Sequence, residues 1–326
     1  MADYLYSSAR VRALETRLIG RERIWLLPEE HSAADVWRRL TEYGVEPICD
    51  ANGRIDTEES LLCILKNAYD TVCEMLPNDP AVQLWLYPYD CNNVKAAIKC
   101  FARGIDPRPM TFDFGTLAAE RVIEMVKCGS FEGLPPHMLQ AAAEATEAYA
   151  KTKNPQAVDL CMDRACYADM IEAAGQGFCL ELVKRKLDLV NLISLIRVMR
   201  MRCGEMGERL LEAAWLSGGS FDEAFLHERY HATEDELWQI LKGGAFAGFA
   251  HRLDAKASLT AIERQADDFW MDLLKTVKFV PYGAEVVVAY LLATECEVRN
   301  LRIVLAGQET GLPAATVRER IRDGYV

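Results

Sequence analysis

Long apolar runs are missing from this 326-residue chain. The longest uncharged apolar stretch, Val286 to Ala293, falls far short of the roughly 20 residues that cross a bilayer, so no membrane span is expected. Cations are in the minority: 37 Lys and Arg stand against 49 Asp and Glu, a net charge of -12. A phosphate-backbone partner needs clustered positive charge to displace counterions, so no nucleic acid is expected. Cys-x-x-Cys pairs are absent although there are 11 cysteines, an odd number spread through apolar stretches. That usage points to small core residues in a reducing compartment rather than a disulfide framework. Met1 to Tyr6 lacks the basic start and apolar core of a secretory leader, and no leader is expected. No Gly-rich turn closes on Gly-Lys-Ser/Thr, and no Gly-x-Ser-x-Gly elbow occurs. Nucleotide binding and nucleophilic catalysis therefore have no support, and no cofactor is expected. Alternating Val/Ile/Thr strand patterns are nearly absent too, which makes the fold class all-α.

What is present is a helix written three times. Asp90-x-x-Asn93-Val94, Asp188-x-x-Asn191-Leu192 and Glu297-x-x-Asn300-Leu301 each read acid, two residues, Asn and an aliphatic, with a further aliphatic at Ile98, Ile196 and Leu305. The Asn positions are 98 and 109 residues apart, since 191 - 93 = 98 and 300 - 191 = 109. At i, i+3 the acid and the Asn share one helix face at the head of an apolar stripe. Tyr69 and Tyr167 each precede their Asn by 24 residues; the third copy has Phe269 and Trp270 somewhat further upstream. The expectation is three similar helical units, 1–106, 107–217 and 218–326. Gly104-Ile105-Asp106-Pro107-Arg108-Pro109 forms the first boundary and Ser217-Gly218-Gly219 the second. The acid and Asn are expected to bond neighbouring backbone or a buried helix end, fixing the same junction three times.

Local signals divide the units further. Tyr4 to Leu27 reads as a first helix, Ser32 with Asp35 as the cap of a second, and Leu259 to Lys278 as one long helix. Ser220-x-x-Glu223, Thr233-x-x-Glu236 and Thr316-x-x-Glu319 resemble capping boxes. The neighbouring carboxylates Asp267/Asp268 and Glu295/Glu297 read as solvated faces.

One motif suggests chemistry. His227-Glu228-Arg229-Tyr230-His231 places two histidines at i, i+4 around a Glu, the arrangement with which a zinc metallopeptidase holds its ion and activates water. Such a site also needs a helix running on past the second His and a third ligand downstream. Here Thr233 starts a new helix, and only Glu234 or Glu236 is on hand as the ligand. The expectation is a helix end whose histidines are solvated or pair with nearby acids, and no metal; a zinc peptidase on His227, Glu228 and His231 is the alternative.

Four stretches resemble a known family. They are Tyr6-x-x-Ala9-Arg10-Val11-Arg12-Ala13-Leu14-Glu15, Tyr89-Asp90-x-x-Asn93-Val94-Lys95, Leu187-Asp188-x-x-Asn191-Leu192, and above all Ala289-Tyr290-Leu291-Leu292-Ala293-x-Glu295-x-Glu297-x-Arg299-Asn300-Leu301-Arg302. In order and spacing the chain is similar, end to end, to the C subunit of the archaeal and bacterial V/A-type ATPases, the counterpart of the d subunit of eukaryotic V-ATPases. The resemblance implies three helical bundles arranged as a funnel on the cytoplasmic face of the membrane rotor ring, receiving the end of the central stalk. It implies a peripheral, non-catalytic rotor component that transmits torque in ATP-linked proton or sodium transport. Carried onto this sequence, Asp90, Asn93, Asp188, Asn191, Glu297 and Asn300 are architectural, and Arg10, Arg12, Arg197, Arg299 and Arg302 are candidate contacts to the stalk or ring. The cysteine content and the His227 to His231 segment depart from the family pattern.

Overall fold

The structure is a computed structural model that describes residues 4–253 and 256–326; the first three residues of the stretch considered for a leader lie outside it. It is all-α, and among the described residues the only β features are two isolated bridges, Cys49 with Ile55 and Glu132 with Leu134. The chain opens with α1 (Tyr4–Glu15), α2 (Arg21–Leu26), α3 (Ala33–Glu42) and α4 (Thr57–Met75). The single helix expected to Leu27 is broken in two because Gly20 takes a φ of 81°, which no helix accommodates. Ser32 caps α3 by accepting the Asp35 N–H at 3.2 Å, as its sequence announced.

Next come α5 (Pro80–Gln83), α6 (Tyr87–Ala102), α7 (Ala119–Cys128), α8 (Pro136–Thr152), α9 (Pro155–Ala174), α10 (Phe178–Met201), α11 (Glu205–Ala214) and α12 (Glu223–Tyr230). Pro136 and Pro155 sit at the first position of their helices, where the missing N–H would have had no partner. The capping box read at Ser220 is displaced by two residues: Asp222 caps α12 through the Phe225 N–H at 2.8 Å, and the Ser220 N–H is bound to Asp188. The last helices are α13 (Glu234–Lys242), α14 (Ala247–Ala250), α15 (Leu259–Lys275), α16 (Ala284–Glu309) and α17 (Ala314–Arg318). The expected long helix to Lys278 stops at Lys275 and tightens into a 3-10 turn, Thr276–Phe279. Thr316 is no cap, since α17 starts directly after Pro313.

Packing gathers the residues up to Asp79 with those from Asp235 on into one unit, and Pro80–Glu234 into another. These cuts differ from the divisions at 106 and 217 suggested by the copies: within the second unit α6 packs on α7 and α9. In the first unit α16 is the axis, touched by α1, α3, α4, α15 and α17. Every residue from Val286 to Ala293 is buried, so the longest apolar run of the sequence is a core helix apolar on all sides. In the second unit α6, α9 and α10 form the core, with α8 on α9 and α11 on α10.

Candidate functional site

The repeated Asn residues make the same pair of bonds in all three copies. Asn93 is fully buried; its side-chain carbonyl accepts the Phe112 N–H at 2.9 Å and its amide donates to the Phe112 carbonyl at 2.8 Å. Asn191 clamps Leu216 likewise, at 3.0 and 2.8 Å. Asn300 clamps Arg322 at 2.9 and 3.0 Å. A primary carboxamide offers a donor and an acceptor side by side, so it can close on both polar groups of one backbone residue as a strand neighbour would. An Asp could accept the N–H but would have no donor for the carbonyl, and a Leu could serve neither.

The acid three residues earlier caps the segment leading into a helix. Asp90 accepts from the Thr116 and Leu117 N–H groups at 3.0 and 3.2 Å, just ahead of α7. Asp188 Oδ1 accepts from Ser220 and Phe221 at 2.8 and 3.4 Å, just ahead of α12. Both approaches require glycine, because a Cβ on Gly115 would lie 2.2 Å from Asp90 Oδ1 and one on Gly219 2.1 Å from Asp188 Oδ1. Burial pushes both carboxyls above the usual range, against the pull of these N–H donors.

In the third copy the pair divides. Asn300 holds Arg322, but Glu297 reaches the Gly20 N–H at 2.8 Å, just ahead of α2 and 277 residues away in sequence. The Arg21 N–H in turn donates to the Val326 carbonyl at 3.1 Å. The acid of each copy thus precedes a helix start, yet in the third that helix comes from the opposite end of the chain. Burial pushes the Glu297 carboxyl up to about 7, opposed by the Gly20 and Ile19 N–H groups.

The carboxylates read as solvated faces are mostly engaged, which corrects that expectation. Asp268 is buried, accepts the Asp323 N–H at 2.6 Å and is pushed up to about 6 by burial. Asp267 takes Arg299 at 3.1 Å and Arg322 at 3.2 Å, and Glu295 accepts the Tyr69 hydroxyl at 2.7 Å. The second unit has its counterpart in Asp169, which takes the His137 and Met138 N–H groups at the start of α8.

Residues 7–320 match the ATP synthase (C/AC39) subunit family. The chain belongs to that family. Among its relatives, the A-type ATP synthase C subunit of Methanosphaera stadtmanae is 19% identical across 98% of this chain and 87% of that one. That of Thermococcus kodakarensis is 23% identical across 97% and 89%. The V-type sodium ATPase C subunit of Enterococcus hirae is 18% identical across 99% of both. The C subunit of A/V-type ATPases is a non-catalytic part of a rotary complex, and this chain is a C subunit by family. No helix among the described residues is long and apolar enough to cross a membrane.

Family membership removes the peptidase alternative, and the local geometry gives the physical reason. α12 ends at Tyr230, so His231 lies at the helix cap, and Glu228 pairs with Arg229. Of the downstream acids weighed as a third ligand, Glu234 is bound to Arg200 at 2.6 Å. The two histidines instead converge on Glu208 of α11, His227 Nδ1 at 3.2 Å and His231 Nε2 at 3.1 Å from the same Oε1. The bond from His227 is the main cause of the lowered Glu208 pKa. Glu208 and its neighbour Glu212 were not singled out from sequence; their i, i+4 spacing on an amphipathic stretch was the available signal.

Among the five arginines carried over as contacts, Arg12, Arg299 and Arg302 are tied to named partners within the chain. Arg12 donates to the Val277 and Val280 carbonyls at 2.7 and 2.8 Å and pairs with Glu15. Arg299 pairs with Asp267, and Arg302 forms a forked pair with Glu58 at 2.9 Å. Arg10 and Arg197 lie on exposed helix faces.

Proposed function

We propose that this protein is a rotor part that couples the central stalk to the membrane ion-translocating ring, seated on the ring's cytoplasmic side and turning with it. One observation carries the mechanical half of the reading: the same carboxamide clamp closes on backbone at three places, Phe112, Leu216 and Arg322. A part that passes torque must not yield between its helices, and each clamp ties a core helix to the segment that follows it through a buried carboxamide with both its polar groups paired. In this reading Asp90, Asn93, Asp188, Asn191, Glu297 and Asn300 are architectural, in three related helical units, and the chain does no chemistry. Arg10, Arg12, Arg197, Arg299 and Arg302 are the candidate contacts to stalk or ring, and all but Arg12 are exposed.

The test is isolation of the complex through a tag on this chain. Stalk subunits and the membrane ring are expected to come with it, and ATP hydrolysis by the complex is expected to drive ion transport. After deletion of this chain, hydrolysis by the detached head is expected to persist while transport stops. Transport that survives the deletion would overturn the coupling role.

A further inference from the structure

The pairing of two helices at the end of the second unit has more to offer than a surface ion pair. Glu208 and Glu212 stand one turn apart on α11, and His227 and His231 stand one turn apart at the end of α12. The His227 ring lies between the two acids, with Nδ1 3.2 Å from Glu208 Oε1 and Nε2 3.6 Å from Glu212 Oε1. One nitrogen of His227 and one oxygen each from Glu208 and Glu212 lie within 4.8 Å of one another. His231 Nε2 lies 3.1 Å from the same Glu208 oxygen but outside that group of three, so it reaches an ion there by turning in. Ligand bonds of about 2.0–2.2 Å around tetrahedral zinc put neighbouring donor atoms about 3.3–3.6 Å apart; the two separations belong to opposite nitrogens of the ring, so one carboxylate closes further onto the nitrogen that takes the ion.

We infer that Glu208, Glu212 and His227 form a site for one divalent transition-metal ion, with Zn2+ the best match, that clasps α11 to α12, His231 turning in as the fourth ligand. Two carboxylates balance the charge of the ion, and imidazole with carboxylate suits zinc. The four side chains are partly or fully exposed, so an ion has an open path in and ligand variants leave the core untouched. The role is structural. The segment between α11 and α12 carries Leu216 and Ser220, the residues held by Asn191 and Asp188, so the clasp closes over that clamp and stiffens it. The other group of similar composition, His137 with Asp169 and Glu172, lacks this freedom, because Asp169 is buried and committed to two backbone N–H groups.

The experiment is titration of the chelator-treated full chain with Zn2+ at pH 7.5 by calorimetry, with thermal unfolding in parallel. One ion per chain at micromolar concentration and a rise in the unfolding midpoint are expected. His227→Ala and Glu212→Gln are each expected to weaken binding at least about tenfold and to abolish the rise, since each removes a direct ligand. Glu228→Gln is expected to change neither, because Glu228 belongs to the Arg229 pair. No saturable binding, or binding unaltered by both ligand variants as the 11 cysteines would give, overturns the proposal.

Discussion

Replacing Asn191 by Leu keeps the branched four-atom side chain, in a bulkier form, and removes both halves of the clamp. Asn191 is fully buried and its partner Leu216 is 5% exposed, so neither the Leu216 N–H nor its carbonyl can turn to water. Each stranded backbone group costs about 1–3 kcal/mol, a total of about 2–6 kcal/mol. That is a large part of the roughly 5–15 kcal/mol that holds a domain folded. Tryptophan fluorescence during urea unfolding reads it directly, because Trp215, next to the clamp, is buried. The expected result is an earlier transition of the second unit together with faster hydrogen exchange at Leu216. The three clamps also rank themselves by solvent access. Phe112 is 49% exposed, so water can replace part of what Asn93→Leu removes, and about 1 kcal/mol is expected there. Asn300→Leu, acting on a part-buried partner, is expected to fall between. Equal costs at 93 and 191, or an Asn191→Leu chain within about 0.5 kcal/mol of the parent and still protected at Leu216, would refute the reasoning.

Glu297 gives a pH signature. Between the 4.5 of a free Glu and the value of about 7 in the fold, the folded chain holds a proton that the unfolded chain releases. Stability therefore falls as pH rises through that window, by up to about 3 kcal/mol, and is flat above it. Glu297→Gln keeps an acceptor for Gly20 and is expected to unfold at higher urea than the parent at pH 8, with little difference at pH 4.5; an advantage that does not grow with pH would count against a buried carboxyl there. Gly219→Ala and Gly115→Ala each push a methyl against a capping carboxylate, and a loss of about 1–3 kcal/mol in urea unfolding is expected for each. The double variant Asp188→Ala with Gly219→Ala is expected to lose less than the sum of its parts. Arg12→Ala frees two carbonyls in the turn after α15, and faster exchange across residues 277–283 is the expected readout.

Helices, their caps and the three acid/Asn copies were legible because they are local: a period of 3.6, a Ser three residues before an acid, and the face shared at i, i+3 all lie within a few turns of chain. The departures have separate causes, one of them distant in sequence. Gly20 divides α1 from α2, and Asp188, 32 positions earlier, holds the Ser220 N–H while the cap of α12 falls to Asp222.

The sequence alone settled the all-α class, the family and the recurrence of an Asn with an acid one turn before it. It could not say what those side chains hold. Partners lie 19, 25 and 22 residues downstream for the three Asn residues, and 277 residues away for Glu297. Only packing chooses them, because a carboxamide or carboxylate buried on a helix bonds whatever backbone the fold brings to it. The same holds for His227 and His231, whose spacing suggested a peptidase until α11 set Glu208 between them.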